Sequence, residues 1–119
     1  MKNWKFAALL MSLSAVPSAA WAHAFLDHAQ PAVGSTLPSS PSVVKIWFTE
    51  EIDPSGTAIK VFNASGKEVD RENSVADHKD NKLDTVGVDE LPSGEYKVVW
   101  KALCMAGHTT GGSYYFTVK

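Results

Sequence analysis

Four histidines, one cysteine and 13 carboxylates are the groups of this 119-residue chain best able to bind a metal or move a proton. His23 stands out among them. It lies in AWAHAFLDHAQP (20–31), where two small-x-small triplets overlap, Ala20-Trp21-Ala22 and Ala22-His23-Ala24. A signal peptidase cutting after Ala22 makes His23 the first residue, whereas a cut after Ala24 removes it. At a free N-terminus, the α-amine and the ring Nδ1 can close a chelate ring on one metal ion. Their ordinary pKa values are roughly 7.7–8 and 6.5, so both give up protons to a metal at little cost near neutral pH. One further imidazole completes a T of three nitrogens, which suits the tetragonal preference of Cu(II).

His108, in CMAGHTTGG (104–112), is the second candidate, placed in a glycine-containing loop of the kind that carries ligand sites. Taken alone, each is better read as an ordinary histidine; the pair is more informative, but nothing local sets them side by side. Cys104 and Met105 adjoin His108 and offer softer donors that favour Cu(I). In an extended segment Cys104 and His108 stand about 13 Å apart at ~3.3 Å per residue, so both reach one ion only if the loop folds back. The alternative is a buried, inert Cys104 and a packing Met105. His28, five residues from His23, points to the opposite face of a regular strand, while Asp27 shares the parity of His23 and can orient its imidazole. His78, Asp89 and Glu90 read as solvated loop and turn residues.

These groups need elements to position them. Residues 1–22 read as a cleaved signal peptide: two lysines, the apolar run FAALLMSLSAV (6–16) and a small-residue end. The run is too short to span a bilayer, which takes roughly 20 residues. Removing it takes away Lys2 and Lys5 and no acid, so residues 23–119 carry 13 acids against nine bases. That balance argues against nucleic acid as a partner. No second long apolar run follows, so the processed chain is expected outside the membrane. A single cysteine excludes an internal disulfide framework.

After His23 the pattern is strands. SVVKIWFT (42–49) alternates Val44, Ile46 and Phe48 against Val43, Lys45 and Trp47, and TAIKVFN (57–63) alternates in the same way. Tyr96, Val98 and Trp100 oppose Lys97, Val99 and Lys101, and Tyr114 and Phe116 oppose Tyr115 and Thr117. Weaker strands are expected at residues 23–29, 67–70 and 83–88. Turn chemistry separates them, except at Arg71 to Asn81, which reads as a mobile polar loop. Seven short strands in one domain indicate an all-β fold: an antiparallel Greek-key β-sandwich or barrel, immunoglobulin-like, with cupredoxin-like topology as a variant.

The segments HAFLDHAQPAVGSTL (23–37), VVKIWFTEEIDPSG (43–56) and GEYKVVWKALCMAGHTTGGSYYFTV (94–118), in this order and spacing, resemble the CopC family of periplasmic copper-binding proteins. The resemblance runs the length of residues 23–119. It implies a Cu(II) site at one end of a seven-stranded sandwich, with His23 supplying amine and imidazole. A loop Asp-x-His supplies a carboxylate and a second imidazole in that family. His108 matches the histidine, but Ala106 stands where the aspartate belongs, leaving three nitrogens and a position open to water. The methionine-rich Cu(I) loop of some members is absent, since Met105 is the only methionine after residue 22.

The function expected from these readings is periplasmic copper binding in homeostasis, resistance or delivery, without catalysis. An inner-membrane copper transporter or an exported cuproenzyme would be the recipient. Two other classes compete. A copper-dependent oxidase could act through the same terminal-histidine brace, although the short chain shows no extended aromatic substrate platform, and Trp47 and Trp100 fit strand packing. A sandwich that has lost its metal and only docks a partner draws its support from Ala106.

Overall fold

The computed structural model describes residues 23–119; the expected leader and its cleavage sites up to Ala22 lie outside the described residues. Eight strands follow one another: β1 (Leu26–Gln30), β2 (Thr36–Leu37), β3 (Val43–Phe48), β4 (Ala58–Phe62), β5 (Val75–Ala76), β6 (Leu83–Gly87), β7 (Gly94–Leu103) and β8 (Thr109–Val118). They form two four-stranded sheets, ordered β1-β3-β6-β5 and β2-β8-β7-β4. No helix among the described residues is long and apolar enough to cross a membrane. The all-β sandwich expected from alternation is present, with one strand more than the seven expected. One pairing, β2 with β8, is parallel rather than antiparallel.

Alternation builds the core directly. Val44, Ile46 and Phe48 of β3 are buried, as are Ile59 and Val61 of β4, Tyr96, Val98 and Trp100 of β7, and Tyr114, Phe116 and Val118 of β8. Successive side chains of a strand face opposite ways, so these sets meet between the sheets. Phe48 and Trp100 make that contact edge to face, with ring centroids 5.4 Å apart. Gly112, paired with Trp100, leaves room for the indole, because a Cβ there would sit 2.7 Å from Trp100 Cζ2. The Tyr96 hydroxyl donates to the carbonyl of Pro92 at 2.6 Å and fixes the corner that leads into β7.

Three local expectations are corrected. Residues 67–70 are no strand: only isolated bridges occur there, Phe62 with Glu68 and Asp70 with Val88. The Asp70 carboxylate takes the N–H of Val61 at 2.8 Å, so a side chain stands where a ladder carbonyl would. The first strand begins at Leu26, not His23, and carries a bulge. Arg71 to Asn81 is tied down rather than loose. Its Val75–Ala76 is an edge strand, and Asn73 Oδ1 accepts the N–H of Gly87 at 2.8 Å.

Asp84 and Tyr114 carry polar groups into the sandwich. Asp84 of β6 is 1 % exposed, and its carboxylate accepts the Ser74 hydroxyl proton at 2.6 Å. Ser74 Oγ in turn accepts the N–H of Ile59 on β4 at 3.1 Å, so one hydroxyl links the two sheets. Tyr114 is the other case. Its buried hydroxyl has no hydrogen-bond partner, and burial raises its pKa. An unmade buried hydrogen bond costs about 1–3 kcal/mol. Tyr114→Phe is therefore expected to leave stability unchanged or raise the melting temperature by a few degrees, about 4–8 °C per kcal/mol at this size. A drop of that size in thermal denaturation would show that the hydroxyl has a partner.

Candidate metal centre

The β7–β8 connection spans residues 104–108 and folds tightly back. Cys104 N–H donates to the carbonyl of His108 at 3.0 Å, and Gly107 N–H donates to the carbonyl of Cys104 at 2.9 Å. Gly107 adopts φ +91°, a left-handed conformation that glycine tolerates best. The N–H of His108 points to Cys104 Sγ at 3.4 Å. The extended spacing of about 13 Å for Cys104 and His108 therefore does not apply. The loop also leans on the β3–β4 connection, where Met105 N–H donates to the carbonyl of Glu51 at 3.2 Å. This turn leaves the His108 side chain exposed at one end of the sandwich.

The segment before β1 reaches the same end. Ala24 is fully buried, and the Thr110 hydroxyl of β8 donates to its carbonyl. Phe25 N–H donates to Thr49 Oγ1 at 3.0 Å, and Thr49 N–H donates to the Phe25 carbonyl at 2.8 Å. The carbonyl of His23 lies 3.5 Å from the same Thr49 hydroxyl. These contacts bring the His23 ring against His108, with centroids 4.5 Å apart and planes at 79°. The two residues are 85 positions apart in the chain. Two imidazoles bonded to one first-row metal at about 2.0–2.1 Å hold their ring centres roughly 4–6 Å apart, depending on the bond angle. The 4.5 Å separation of the His23 and His108 rings lies within that range.

The other candidates are placed differently. Cys104 is 2 % exposed and belongs to the core, whereas Met105 is exposed beside it. Ala106 is exposed and offers no donor. The bulge lies between Leu26, paired with Phe48, and His28, paired with Trp47. Asp27 is the extra residue there, and it reverses the parity on which Asp27 was grouped with His23 and His28 set opposite. Asp27 instead meets His28, Oδ2 to Nδ1 at 2.8 Å, and the His28 ring stacks on Trp47 at 4.4 Å. His78 is exposed in the β5–β6 connection. Among the described residues, no three His, Cys, Asp or Glu side chains are grouped to hold a metal ion. Of those residue types, the side chains of His23 and His108 are the two that meet at this end. Thr49 and Thr110, which hold the backbone of residues 23–25, carry no signal in the sequence; they read as ordinary strand-end residues.

The model of the CopC domain family matches residues 26–119. The chain is 31 % identical over 111 residues to the copper transport protein CutJ of Bacillus subtilis. That match takes in 92 % of this chain but only 20 % of the much longer CutJ. Among solved structures it is similar to CopC from Methylosinus trichosporium OB3b, with a TM-score of 0.77 and 31 % identity over 82 % of this chain and 94 % of that one. It is also similar to PcoC, a methionine-rich copper resistance protein from Escherichia coli, with a TM-score of 0.72 and 28 % identity over 82 % of this chain and all of that one.

Proposed function

The chain belongs to the CopC family, and on that premise we propose that it is a periplasmic carrier of Cu(II) that binds the ion without catalysis. In this reading residues 1–22 are removed on export and the protein begins at His23. The His23 amine and imidazole and the His108 imidazole then hold the ion as three nitrogens. The observation that carries the reading is the 4.5 Å approach of the two rings across 85 positions of chain. The amine completes what the side chains leave unfinished, since only two imidazoles gather at this end.

Ala106 shapes what such a site is for. A carboxylate at that position would add a hard anionic oxygen and offset the ion's charge; a methyl group does neither. Copper held by three nitrogens and a water exchanges more readily, which suits a protein that buffers the ion and passes it on. The recipient is an inner-membrane copper transporter or an exported cuproenzyme, and the cell gains copper tolerance or supply. The excess of acids in residues 23–119 keeps nucleic acid out of the scheme.

Intact mass of the exported protein, with and without Cu(II), tests start and stoichiometry together. The expected result is a chain beginning at His23 that takes up one copper and shows a visible d–d band. A chain beginning at Phe25, or no copper taken from a competing chelator, overturns the reading.

A further inference from the structure

We infer that Thr49 and Thr110 are positioning residues for copper, because they hold the terminal ligand at His23 in place before the ion arrives. The inference rests on the reading of His23 as a ligand. The first residues of a chain are ordinarily its least ordered part. A ligand that must be ordered on binding lowers the apparent affinity by the fraction of time it spends in place.

Here the backbone on the C-terminal side of His23 is fastened at successive residues. The Thr110 hydroxyl donates to the carbonyl of Ala24, whose side chain is fully buried. Thr49 engages Phe25 twice: its hydroxyl oxygen accepts the Phe25 N–H at 3.0 Å, and its backbone N–H, which a valine keeps, donates to the Phe25 carbonyl at 2.8 Å. The same Thr49 hydroxyl lies 3.5 Å from the His23 carbonyl. Thr110 sits two residues after His108, so one stretch of chain carries both the second imidazole and the clasp that delivers the first. The hydrogen bonds of both hydroxyls run to main-chain groups, not to either ring. Each acts through the backbone of residues 23–25.

The test compares Thr110→Val and Thr49→Val with wild type, all exported and processed at His23. Ser40→Ala is the control, because it loses hydrogen bonds of the same kind at another site: Ser40 Oγ accepts the N–H of Leu91 at 2.7 Å and donates to the carbonyl of Pro41 at 2.9 Å. Chelator competition is expected to show Cu(II) held about tenfold less tightly in each valine variant. The d–d band should stay where it is, since the ligands are unchanged. Thr110→Ser should restore the affinity, and Ser40→Ala should leave it alone even if its melting temperature falls. In the copper-free protein, hydrogen exchange at the Phe25 amide should quicken about tenfold in Thr110→Val. Wild-type affinity in both valine variants, or an equal loss in Ser40→Ala, overturns the positioning role while leaving the copper site standing. Failure of the wild type to bind copper overturns both.

Discussion

His108→Ala is expected to weaken Cu(II) binding by more than about a hundredfold, exceeding the 10–100-fold typical of changes to groups that merely support a ligand. The substitution removes an imidazole and little else. His108 contributes to its loop through the backbone: its carbonyl accepts the N–H of Cys104, and its own N–H points to Cys104 Sγ. Alanine keeps both contacts. The ring itself is exposed, and substitutions at such positions ordinarily change stability by less than about 0.5 kcal/mol. The copper-free melting temperature should therefore stay within about 4 °C of wild type. On the proposed reading residual binding is expected, because a chain that begins at His23 would keep that residue's amine and imidazole as a chelate. His28→Ala is the contrasting variant; its ring is occupied with Asp27 and Trp47, and copper affinity should not change. Chelator competition monitored by absorbance measures both. An affinity for His108→Ala within threefold of wild type would remove His108 from the site.

Asp84→Asn is expected to stabilise the protein at neutral pH and not at acid pH. Burial raises the Asp84 pKa from an ordinary 3.8 to about 6, and the Ser74 hydrogen bond pulls the other way without offsetting it. The folded chain therefore binds this proton more tightly than the unfolded chain. Between about pH 4 and 6 the group's contribution to stability falls as pH rises, and above about pH 7 the buried carboxylate exerts its whole destabilising effect. A shift of about two units corresponds to about 3 kcal/mol. Asparagine retains an oxygen for the Ser74 hydroxyl and carries no charge. The variant should therefore be more stable than wild type by about 2–3 kcal/mol at pH 7.5, and equal to it near pH 4. Denaturant midpoints at the two pH values decide the matter. Lower stability of the variant at pH 7.5 would mean that the carboxylate is held by more than Ser74.

Much of this protein is legible in its residues because alternation is a local property. Val44, Ile46 and Phe48 announce a strand and its inward face wherever that strand lies, and the same holds for Tyr96, Val98 and Trp100. The Arg71 to Asn81 segment was less readable. A hydroxyl or amide that stays in water and one that replaces a ladder partner, as Ser74 and Asn73 do, have the same letter in the sequence.

By itself, then, the sequence determined the sandwich, the family resemblance, the two candidate imidazoles and the missing carboxylate at Ala106. The tertiary structure decided which groups meet. It set His23 against His108, folded the loop so that Cys104 turned inward, and gave Asp27 to His28 through a bulge that parity counting does not register. The reason is the range of the interactions. Strand periodicity arises between neighbours two residues apart, whereas the encounter of residues 23 and 108 depends on β1, β3, β7 and β8 having found their registers, with Thr49 and Thr110 closing the last gap by hydrogen bonds to main-chain groups that every residue has.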